Sequence, residues 1–590
     1  MLKTNDKRIE LQKWRFMIDQ NEYGLKAGWH TAAYDHSCWT EVDSYTSWET
    51  YDLALRDYES FGWFYTTYRA SADRSLRHTL HFDGVGGVAK VWFNGQLVGE
   101  TNSRYLPFEI DVSDYVNPGE ENSVAVLVNN TFQGEEHLPG GSRVEWVLYG
   151  GLTHHVYMIE HPECYISHLY AKADMFGRCL VRATVRNEGK TDVSGQLSIC
   201  TDTLPECSKA APFSCPAGEQ TEVEFMTEGK NVKLWSPEHP NLYTIHAKLA
   251  ADGKSVHQVS DRIGYRTIEV RGTEILLNGE FLAIKGANRY DEYAPYGICP
   301  PKELIRDDLL EMKRCGCNLV RTHYPQDPVH YELADELGLI YMIEVVINWW
   351  HPTPEQTLAD FETLKNEAID CLDRTHYWFA NHACWLIWST SNECYHSEPA
   401  AQEMFRMLAE RMRSYQTGHL ITNVLSKPIL DGKELDFCDF IAINNYSGSN
   451  KDDINEVENI SNPYLAKRLE ESRCFYPDKP IVITEYGIVS IRGLHNHAWQ
   501  GRFTEEWAAT YLKNMVRIFS QCPTVRGIVL WAWADYRHRR EFAIKRWDSM
   551  HLHGPNGPYG VKTITRETKT AVFDALLELH ERFDGKNPIE

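Results

Sequence analysis

The chain has 590 residues and an ordinary globular composition, so we expect more than one domain. Its formal net charge is −23, and this lack of a basic excess excludes nucleic acid and an anionic membrane surface as main partners. No run of about 18 apolar residues occurs in the sequence, so no membrane span is expected.

Cysteine usage and the first residues of the chain bear on its compartment. The 15 cysteines are odd in number and include no Cys-x-x-Cys motif, so we interpret them as reduced thiols. The segment Met1–Arg8 contains no apolar signal region. These features predict a cytoplasmic protein. There is no His-Glu-x-x-His motif and no clustered His and Cys spacing, so neither a metal ion nor a cofactor is expected.

The N-terminal half of the chain has the pattern of β-structure. Residues 1–163 alternate apolar and polar side chains with a period of two, and Ala89–Gln96 predicts a strand that enters a hairpin turn at Asn94-Gly95. We therefore predict a β-sandwich of the jelly-roll kind for residues 1–163. The strand pattern continues over residues 164–271, which is the length of one immunoglobulin-like β-sandwich.

After residue 272 the pattern changes to short apolar strands that alternate with amphipathic helices. Helices are predicted over 304–315, 327–337 and 361–379, and strands over 318–321, 339–344, 384–388, 439–444, 481–484 and 527–531. These repeated units predict a C-terminal (β/α)8 TIM barrel over residues 272–590. A doubly wound open sheet is the alternative, but no Gly-rich phosphate loop follows any strand.

Polar and aromatic side chains stand at nearly every predicted strand end of the barrel. In a closed parallel barrel these ends converge on one face, where active sites form. The strand ends carry Asn288, Arg289, Arg321, His323, Glu344, Asn392, Glu393, Asn445, Tyr446, Glu485, Trp531 and Asp535. Glu393 and Glu485 each end an apolar run, and a pair of glutamates on one barrel predicts glycoside hydrolysis by an acid and a nucleophile.

Two of the strand-end side chains have more than one interpretation. Glu344 is either an internal ion-pair partner of Arg289 or Arg321, or a direct contact of the sugar. His323 orients a carboxylate, touches the substrate or is a core histidine. The sequence leaves these alternatives open.

The chain resembles glycoside hydrolase family 2 over almost its whole length, and within that family it is most similar to β-glucuronidases. The resemblance rests on Phe82–Val85, Val91–Gly95, Tyr105–Asp111, Ile263–Arg266, Leu277–Gly279, Asn381-His382, Trp388–Glu393, Ile483–Gly487, Gly493–His495, Trp531–Tyr536 and Gly560–Ala571. It implies an exo-acting retaining β-glycosidase that works through a glycosyl-enzyme intermediate and carries two sandwiches before its barrel.

The resemblance also implies roles for individual residues. Glu485 would be the nucleophile and Glu393 the acid/base, while Asn392 would bind the sugar 2-hydroxyl and Tyr446 would hydrogen bond the nucleophile. On physical grounds we expect an ionised Glu485 and a raised pKa for Glu393, because of burial and nearby negative charge. Further substrate contacts are expected from Asn445, His323, Glu145, Trp531, Arg289 and Arg539.

The sequence departs from β-glucuronidases around substrate recognition. The Asn-x-Lys element that grips the sugar carboxylate in that subgroup corresponds here to Gly557-Pro558-Tyr559 and contains no lysine. The run Arg537–Arg540 either supplies a guanidinium instead or is a solvated loop. We therefore predict hydrolysis of terminal β-linked hexuronides, with β-galacturonidase or β-galactosidase activity as alternatives and glycan binding without catalysis as a distant one. The expected partners are small-molecule or oligosaccharide β-glycosides, and a homo-oligomer is an expectation by analogy alone.

Overall fold

The computed structural model describes residues 2–141, 144–251, 253–429, 432–449, 462–498, 501–539 and 556–589. They form two compact units. The first unit comprises residues 1–131, 148–266 and 374–383, and the second comprises 132–147, 267–373 and 384–590. The sequence-based domain limits at residues 163 and 271 stay predictions.

The first unit begins with a sandwich of two antiparallel sheets. Its strands are β2 (Lys7–Glu10), β3 (Lys13–Ile18), β4 (Thr40–Asp43), β5 (Phe61–Arg69), β6 (Leu76–Phe82), β7 (Val88–Phe93), β8 (Gln96–Thr101), β9 (Phe108–Asp111), β10 (Glu121–Asn129) and β11 (Val156–Pro162). One sheet has the order β4-β3-β5-β10-β7-β8 and the other β2-β11-β6-β9. Side chains such as Trp14, Phe64 and Leu80 form the core of this sandwich.

A second sandwich follows in the same unit. Its strands are β1 (Lys3–Thr4), β12 (Cys164–Ala173), β13 (Arg178–Asn187), β14 (Val193–Thr201), β15 (Lys209–Cys215), β16 (Gln220–Glu228), β17 (Tyr243–Ala251) and β18 (Lys254–Ile263). The sheets have the orders β12-β13-β16 and β1-β18-β17-β14-β15. Along β16, buried Val223 and Phe225 alternate with exposed residues, as expected for an antiparallel strand with one face in water.

The second unit contains a closed barrel of parallel strands that pair in chain order. The strands are β22 (Ile284–Asn288), β23 (Leu319–Thr322), β24 (Ile340–Glu344), β25 (Trp385–Asn392), β26 (Leu420–Leu425), β27 (Ile441–Asn445), β28 (Ile481–Tyr486) and β29 (Val525–Leu530). Pairing of β29 with β22 closes the barrel. This confirms the predicted (β/α)8 fold and excludes the open sheet.

In the described residues, helices follow each of these strands except β26, and shorter elements flank the barrel. The helices are α1 (Lys302–Arg314), α2 (Pro328–Leu337), α3 (Glu362–Phe379), α4 (Pro399–Ser414), α5 (Asn462–Phe475), α6 (Glu505–Ser520) and α7 (Thr570–Arg582). A small sheet of β19 (Ile268–Arg271), β20 (Glu274–Leu277) and β21 (Glu280–Phe281) precedes the barrel, and β30 (Tyr536–Arg537) pairs with β31 (Asn556–Gly557) after it. Short 3-10 helices span Trp48–Thr50, Leu53–Leu55, Ser113–Tyr115, Pro205–Cys207 and Leu358–Phe361.

The ends of two helices show how the local sequence sets the element bounds. The Asp327 side chain accepts the Val329 N–H at the start of α2, and Gly338 ends that helix in the left-handed region with φ 73°. At the start of α6, the Thr504 side chain accepts the Trp507 N–H. In the described part of the chain, no helix is both long and apolar enough to cross a membrane.

Candidate active site

The carboxyl ends of the barrel strands surround one cavity. It is lined by Glu145, Trp146, Tyr290, His323, Asn348, Trp349, Asn392, Glu393, Tyr446, Ser449, Glu485, Trp531 and Tyr559. All of these residues belong to the second unit. The structure thus brings together the predicted catalytic pair, Glu393 and Glu485. It also brings these further predicted site residues into the same lining: Glu145, His323, Asn392, Tyr446 and Trp531.

Glu485 lies near the end of β28 and is buried. Arg321 donates a hydrogen bond from Nη1 to Glu485 Oε1 at 2.7 Å. The Tyr446 hydroxyl donates to Glu485 Oε2 at 2.6 Å. Because each carboxyl oxygen has its own donor, from a different strand end, the Glu485 side chain is held in one orientation. Such a fixed carboxylate suits attack on an anomeric carbon.

The protonation of Glu485 is finely balanced. Burial raises the pKa of Glu485 to about 7, while the adjacent Arg321 acts in the opposite direction. The nearby Glu393 carboxylate also raises this pKa, and His323 and the Tyr446 hydrogen bond lower it. The sequence-based expectation assigned a raised pKa to Glu393 and an ionised state to Glu485. For Glu485 the structure shows that burial raises the pKa of the carboxyl, an effect that the sequence-based expectation had not included.

Glu393 directly follows β25 and is held by two neutral donors. Its Oε1 accepts a hydrogen bond from Asn444 Nδ2 at 2.8 Å, and its Oε2 accepts one from Trp349 Nε1 at 2.9 Å. Both Glu393 and Trp349 have φ 52°, a left-handed conformation that is uncommon outside glycine and concentrates at functional sites. The sequence had not identified Trp349 or Asn444. Asn444 is the last residue of a predicted strand, whereas Trp349 lies in a loop without a periodic sequence pattern.

A continuous set of hydrogen bonds connects the surroundings of the two glutamates. Asn392 Oδ1 accepts from Arg321 Nη2 at 2.8 Å and from Asn444 Nδ2 at 3.0 Å. Asn392 Nδ2 donates to Asn348 Oδ1 at 2.6 Å. The amide of Asn392 is therefore fixed between the donor of Glu485 and the donor of Glu393. Its predicted contact with the sugar 2-hydroxyl stays a prediction.

Glu344 is an internal ion-pair partner, which was one of its two interpretations. Its Oε2 accepts from Arg321 Nη2 at 2.9 Å, and its Oε1 lies 2.6 Å from His323 Nδ1. Burial acts to raise the pKa of Glu344, yet Arg321 and His323 outweigh it and hold that pKa below its ordinary value. His323 stacks on Trp146 and places Nε2 3.8 Å from Glu485 Oε1, so it both orients Glu344 and faces the cavity.

An aromatic and acidic wall forms another side of the cavity. Tyr536 donates its hydroxyl to the Glu145 carboxylate and accepts a hydrogen bond from Trp531 Nε1 at 3.1 Å. Tyr290 packs against the Tyr536 ring with centroids 4.6 Å apart. His538 Nδ1 lies 3.6 Å from Glu145 Oε1. These contacts hold the Glu145 carboxylate in a largely aromatic environment.

Three predicted substrate contacts do not line this cavity. Arg289 donates to His330 Nδ1 at 2.9 Å and lies near Asp308, so it points towards α2 and α1. The reason is strand alternation: the preceding Asn288 faces the barrel interior, where its Nδ2 donates to backbone carbonyls, and the next side chain must face the helices. Asn445 is displaced for the same reason and donates to Met515 on α6.

Arg539 is the third residue outside the cavity lining. Its guanidinium lies over the Phe132 ring, 5.1 Å from the centroid, and its backbone N–H donates to the Glu145 carbonyl. Of the other cationic residues in Arg537–Arg540, Arg537 is buried and its backbone N–H donates to Glu292, while Arg540 lies outside the described residues. Among the residues that the structure describes, the cavity lining contains three carboxylates and no lysine or arginine.

Comparison with protein-family models gives consistent matches along the chain. Residues 11–153 match the sugar binding domain of glycosyl hydrolases family 2. Residues 164–266 match the model named for glycosyl hydrolases family 2 itself, and residues 268–545 match the TIM barrel domain of that family.

Individual relatives extend this likeness. A β-glucuronidase from Paenibacillus borealis is 28% identical over 560 residues, which is 89% of this chain and 90% of that protein. A β-galactosidase from Thermoanaerobacter pseudethanolicus is 28% identical over 372 residues, which is 61% of this chain and 49% of that protein.

Solved structures share the whole fold. A β-galacturonidase from Eisenbergiella tayi bound to galacturonate has a TM-score of 0.82 at 21% identity and covers 99% of both chains. A β-glucuronidase from Ruminococcus gnavus in complex with D-glucuronic acid has a TM-score of 0.83 at 23% identity, covering 97% of this chain and 98% of that one.

Proposed function

This chain belongs to glycoside hydrolase family 2, and from that premise we propose that it is an exo-acting retaining β-glycosidase with Glu485 as nucleophile and Glu393 as acid/base. The observation that carries the proposal is that both glutamates line one cavity at the barrel mouth, each with its two carboxyl oxygens held by donors. A retaining mechanism requires such a pair, one on each side of the scissile bond.

In the proposed reaction, Glu485 attacks the anomeric carbon as Glu393 gives a proton to the departing glycosidic oxygen. This step forms a covalent glycosyl-enzyme. In the second step Glu393 takes a proton from water, and the water oxygen displaces Glu485 from the anomeric carbon. Arg321 and Tyr446 hold the nucleophile, while Trp349 and Asn444 hold the acid/base in both steps.

For the substrate, we propose terminal β-linked hexuronides. The support comes from the relatives, which include a β-glucuronidase that matches this chain over 90% of its own length and a β-galacturonidase bound to galacturonate. A hexuronide would require a cation near its carboxylate. The sequence offers the run Arg537–Arg540 for that contact, and within it Arg537 and Arg539 lie outside the cavity lining.

A neutral β-galactoside is the second candidate, and the charge of the cavity favours it. Within the described residues its lining offers Glu145, Glu393 and Glu485 but no ammonium or guanidinium group. The position expected to carry a lysine has Tyr559, which does line the cavity. A uronate carboxylate placed beside these three acids would find no lysine or arginine in the described lining, whereas hydroxyl groups can donate to the acids.

One plate of substrates tests these proposals. Nitrophenyl β-glucuronide, β-galacturonide, β-galactoside, β-glucoside and α-arabinoside would be compared on the wild-type protein, Glu485→Gln and Glu393→Gln. Highest kcat/KM on a uronide supports the first substrate class, and highest kcat/KM on the β-galactoside supports the second. Glu355→Gln, at an exposed position, is the matched control and should keep wild-type rates.

Stereochemistry provides a separate check on mechanism. Proton NMR of the first-formed sugar should show the β-anomer, because two inversions retain configuration. Wild-type turnover by Glu485→Gln, or release of the α-anomer, would refute the proposed mechanism. Sugar binding without hydrolysis on every substrate would instead support the inactive glycan-binding alternative.

We also propose a cytoplasmic location and an assembly of identical subunits. The 15 cysteines of the chain are free thiols, which suits a reducing compartment. The negative net charge argues against nucleic acid and anionic membrane partners. Cell fractionation and light scattering on the purified protein would test the location and the assembly state separately.

A further inference from the structure

A second cluster of potential ligands lies between β28 and α6. His495 and His497 stand in the connecting segment, and Glu506 stands in the first turn of α6. One ligand atom of each residue lies within 4.8 Å of the others. None of the three lines the active-site cavity. The cluster is therefore separate from the glycosidase site.

The distances within the cluster approach those of a metal site. His495 Nδ1 is 2.7 Å and His497 Nδ1 is 3.4 Å from Glu506 Oε1. Ligand atoms around a tetrahedral zinc ion with bonds near 2.0–2.1 Å are about 3.4 Å apart. The His497–Glu506 spacing already has this value. The His495–Glu506 pair would have to open by about 0.7 Å to admit the ion.

The donor set is chemically selective. Two imidazole nitrogens with one carboxylate oxygen form the protein ligands of many zinc sites that keep a fourth position for water. The two imidazole rings are nearly parallel, with an interplanar angle of 10° and centroids 5.9 Å apart. Imidazole-rich sites prefer zinc, nickel or copper to magnesium and calcium, which take oxygen ligands.

The scaffold of the cluster is ordered by its own hydrogen bonds. Glu506 Oε2 accepts the Asn496 N–H at 3.3 Å. The neighbouring Glu505 accepts the backbone N–H groups of Gly493 and Ala571, and its Oε1 lies 3.8 Å from His495 Nε2. Glu505 thus faces one ring nitrogen of His495, and Glu506 faces the other. The side chain of His497 is 82% exposed, so an ion can enter from solvent.

We propose that His495, His497 and Glu506 bind one divalent transition-metal ion of the zinc type, with water in the remaining position. The ion ties the segment after the β28 strand to the start of α6. It has no part in bond cleavage, since its ligands lie outside the cavity lining. This site stands independently of the proposed glycosidase function.

The test is calorimetric titration of the full chain with ZnCl2 after dialysis against a chelator. The exposed thiols of Cys38, Cys200 and Cys474 would first be carboxamidomethylated, so that thiolates do not contribute. The wild-type protein should bind one equivalent at this site. His497→Ala and Glu506→Gln should each weaken that binding by about tenfold or more. Titration with MgCl2 should give no comparable binding.

His155→Ala is the matched control, because His155 is also part-exposed and pairs with a single carboxylate, Glu10, at 2.7 Å. It should keep wild-type zinc binding. As a second readout, zinc should raise the melting temperature of the wild-type and His155→Ala proteins more than that of His497→Ala. Equal zinc affinity in wild type, His497→Ala and Glu506→Gln would overturn the proposal, and so would a wild-type protein that binds no zinc.

Discussion

Trp349 donates its indole N–H to Oε2 of Glu393 at 2.9 Å, and both residues adopt the same left-handed backbone conformation. Both partners of this hydrogen bond therefore have a backbone conformation that is uncommon outside glycine. A donated N–H stabilises a carboxylate more than it stabilises a carboxylic acid. This contact thus supports the base form of Glu393, which the second step of a retaining reaction uses.

Replacing Trp349 with Phe should slow removal of the sugar from the enzyme more than its attachment. A hydrogen bond to a charged group contributes about 1.5–3 kcal/mol, so kcat should fall by about tenfold to a hundredfold. The KM should fall with it, because the glycosyl-enzyme accumulates. Steady-state kinetics and a rapid-quench burst on an aryl glycoside measure both effects.

Trp350→Phe is the control for Trp349→Phe. Trp350 is the adjacent residue and is buried, and its indole nitrogen lies outside the cavity lining. That variant should lose stability but keep the wild-type ratio of kcat to KM. An unchanged kcat and no burst in Trp349→Phe would show that the Trp349 hydrogen bond does not assist Glu393.

Replacing Tyr446 with Phe should move the acidic limb of the pH profile. Burial raises the pKa of Glu485 to about 7, and the Tyr446 hydrogen bond lowers it. The nucleophile must be ionised, so kcat/KM should fall as the pH drops below about 7. Without the Tyr446 donor the pKa rises further, so Tyr446→Phe should lose more activity at pH 6 than at pH 8.

Tyr290→Phe provides the comparison for Tyr446→Phe, because Tyr290 lines the same cavity and packs on Tyr536. Its acidic limb should stay at the wild-type pH even where kcat changes. A Tyr446→Phe limb at the wild-type pH, or one moved to lower pH, would contradict the assigned role of the hydroxyl.

Glu393, Glu485 and the hydrogen bond from Tyr446 to Glu485 were predicted from the sequence, whereas Trp349 and Asn444, which hold Glu393, were not. Glu393 and Glu485 end apolar runs, and a buried parallel strand predicts such a run with a polar tip. Trp349 lies in a loop after β24 with no periodicity to mark it. The prediction that Arg289 contacts the substrate was wrong. Adjacent side chains of a strand point to opposite faces, so only one of Asn288 and Arg289 can face the barrel interior.

Of the eight barrel strands, β22 was predicted only by its end at Asn288, and β26 was not predicted. The cause for β26 is that Thr422 and Asn423 interrupt its apolar run, although the barrel buries both. Contacts between distant segments, such as His497 with Glu506, arise only when a loop folds back on a helix. Local sequence patterns do not predict such a contact.

Removing the ammonium of Lys569 should destabilise the protein strongly at alkaline pH. Lys569 is buried and lies 2.7 Å from Asp535. Burial raises the pKa of Asp535 from 3.8 to about 6, so its ionisation costs stability as the pH rises through that window. Lys569→Met removes the opposing charge and should cost about 3–5 kcal/mol at pH 8, but less at pH 5, where Asp535 is protonated.

Urea unfolding at the two pH values measures the effect of Lys569→Met. Adding Asp535→Asn should recover part of the loss, because no charge is then buried without a partner. Lys513→Met is the control, since Lys513 forms an exposed pair with Glu578, and it should cost less than about 1 kcal/mol. An equal loss at pH 5 and pH 8 would rule out a charge origin.

Placing a lysine at position 559 should change the preferred sugar. Tyr559 lines a cavity whose described lining residues carry three carboxylates and no lysine or arginine, and it occupies the position at which β-glucuronidases are expected to carry a lysine. In Tyr559→Lys an ammonium group near Glu145 would be stabilised by the acids and could pair with a uronate. A charge-assisted hydrogen bond contributes about 1.5–3 kcal/mol, so kcat/KM for the β-glucuronide relative to the β-galactoside should rise by about tenfold or more. Tyr559→Phe, which removes only the hydroxyl, should leave this ratio within a few-fold of wild type. If Tyr559→Lys and Tyr559→Phe give the same ratio, the sugar carboxylate is bound elsewhere, and the charge at position 559 does not set the sugar specificity.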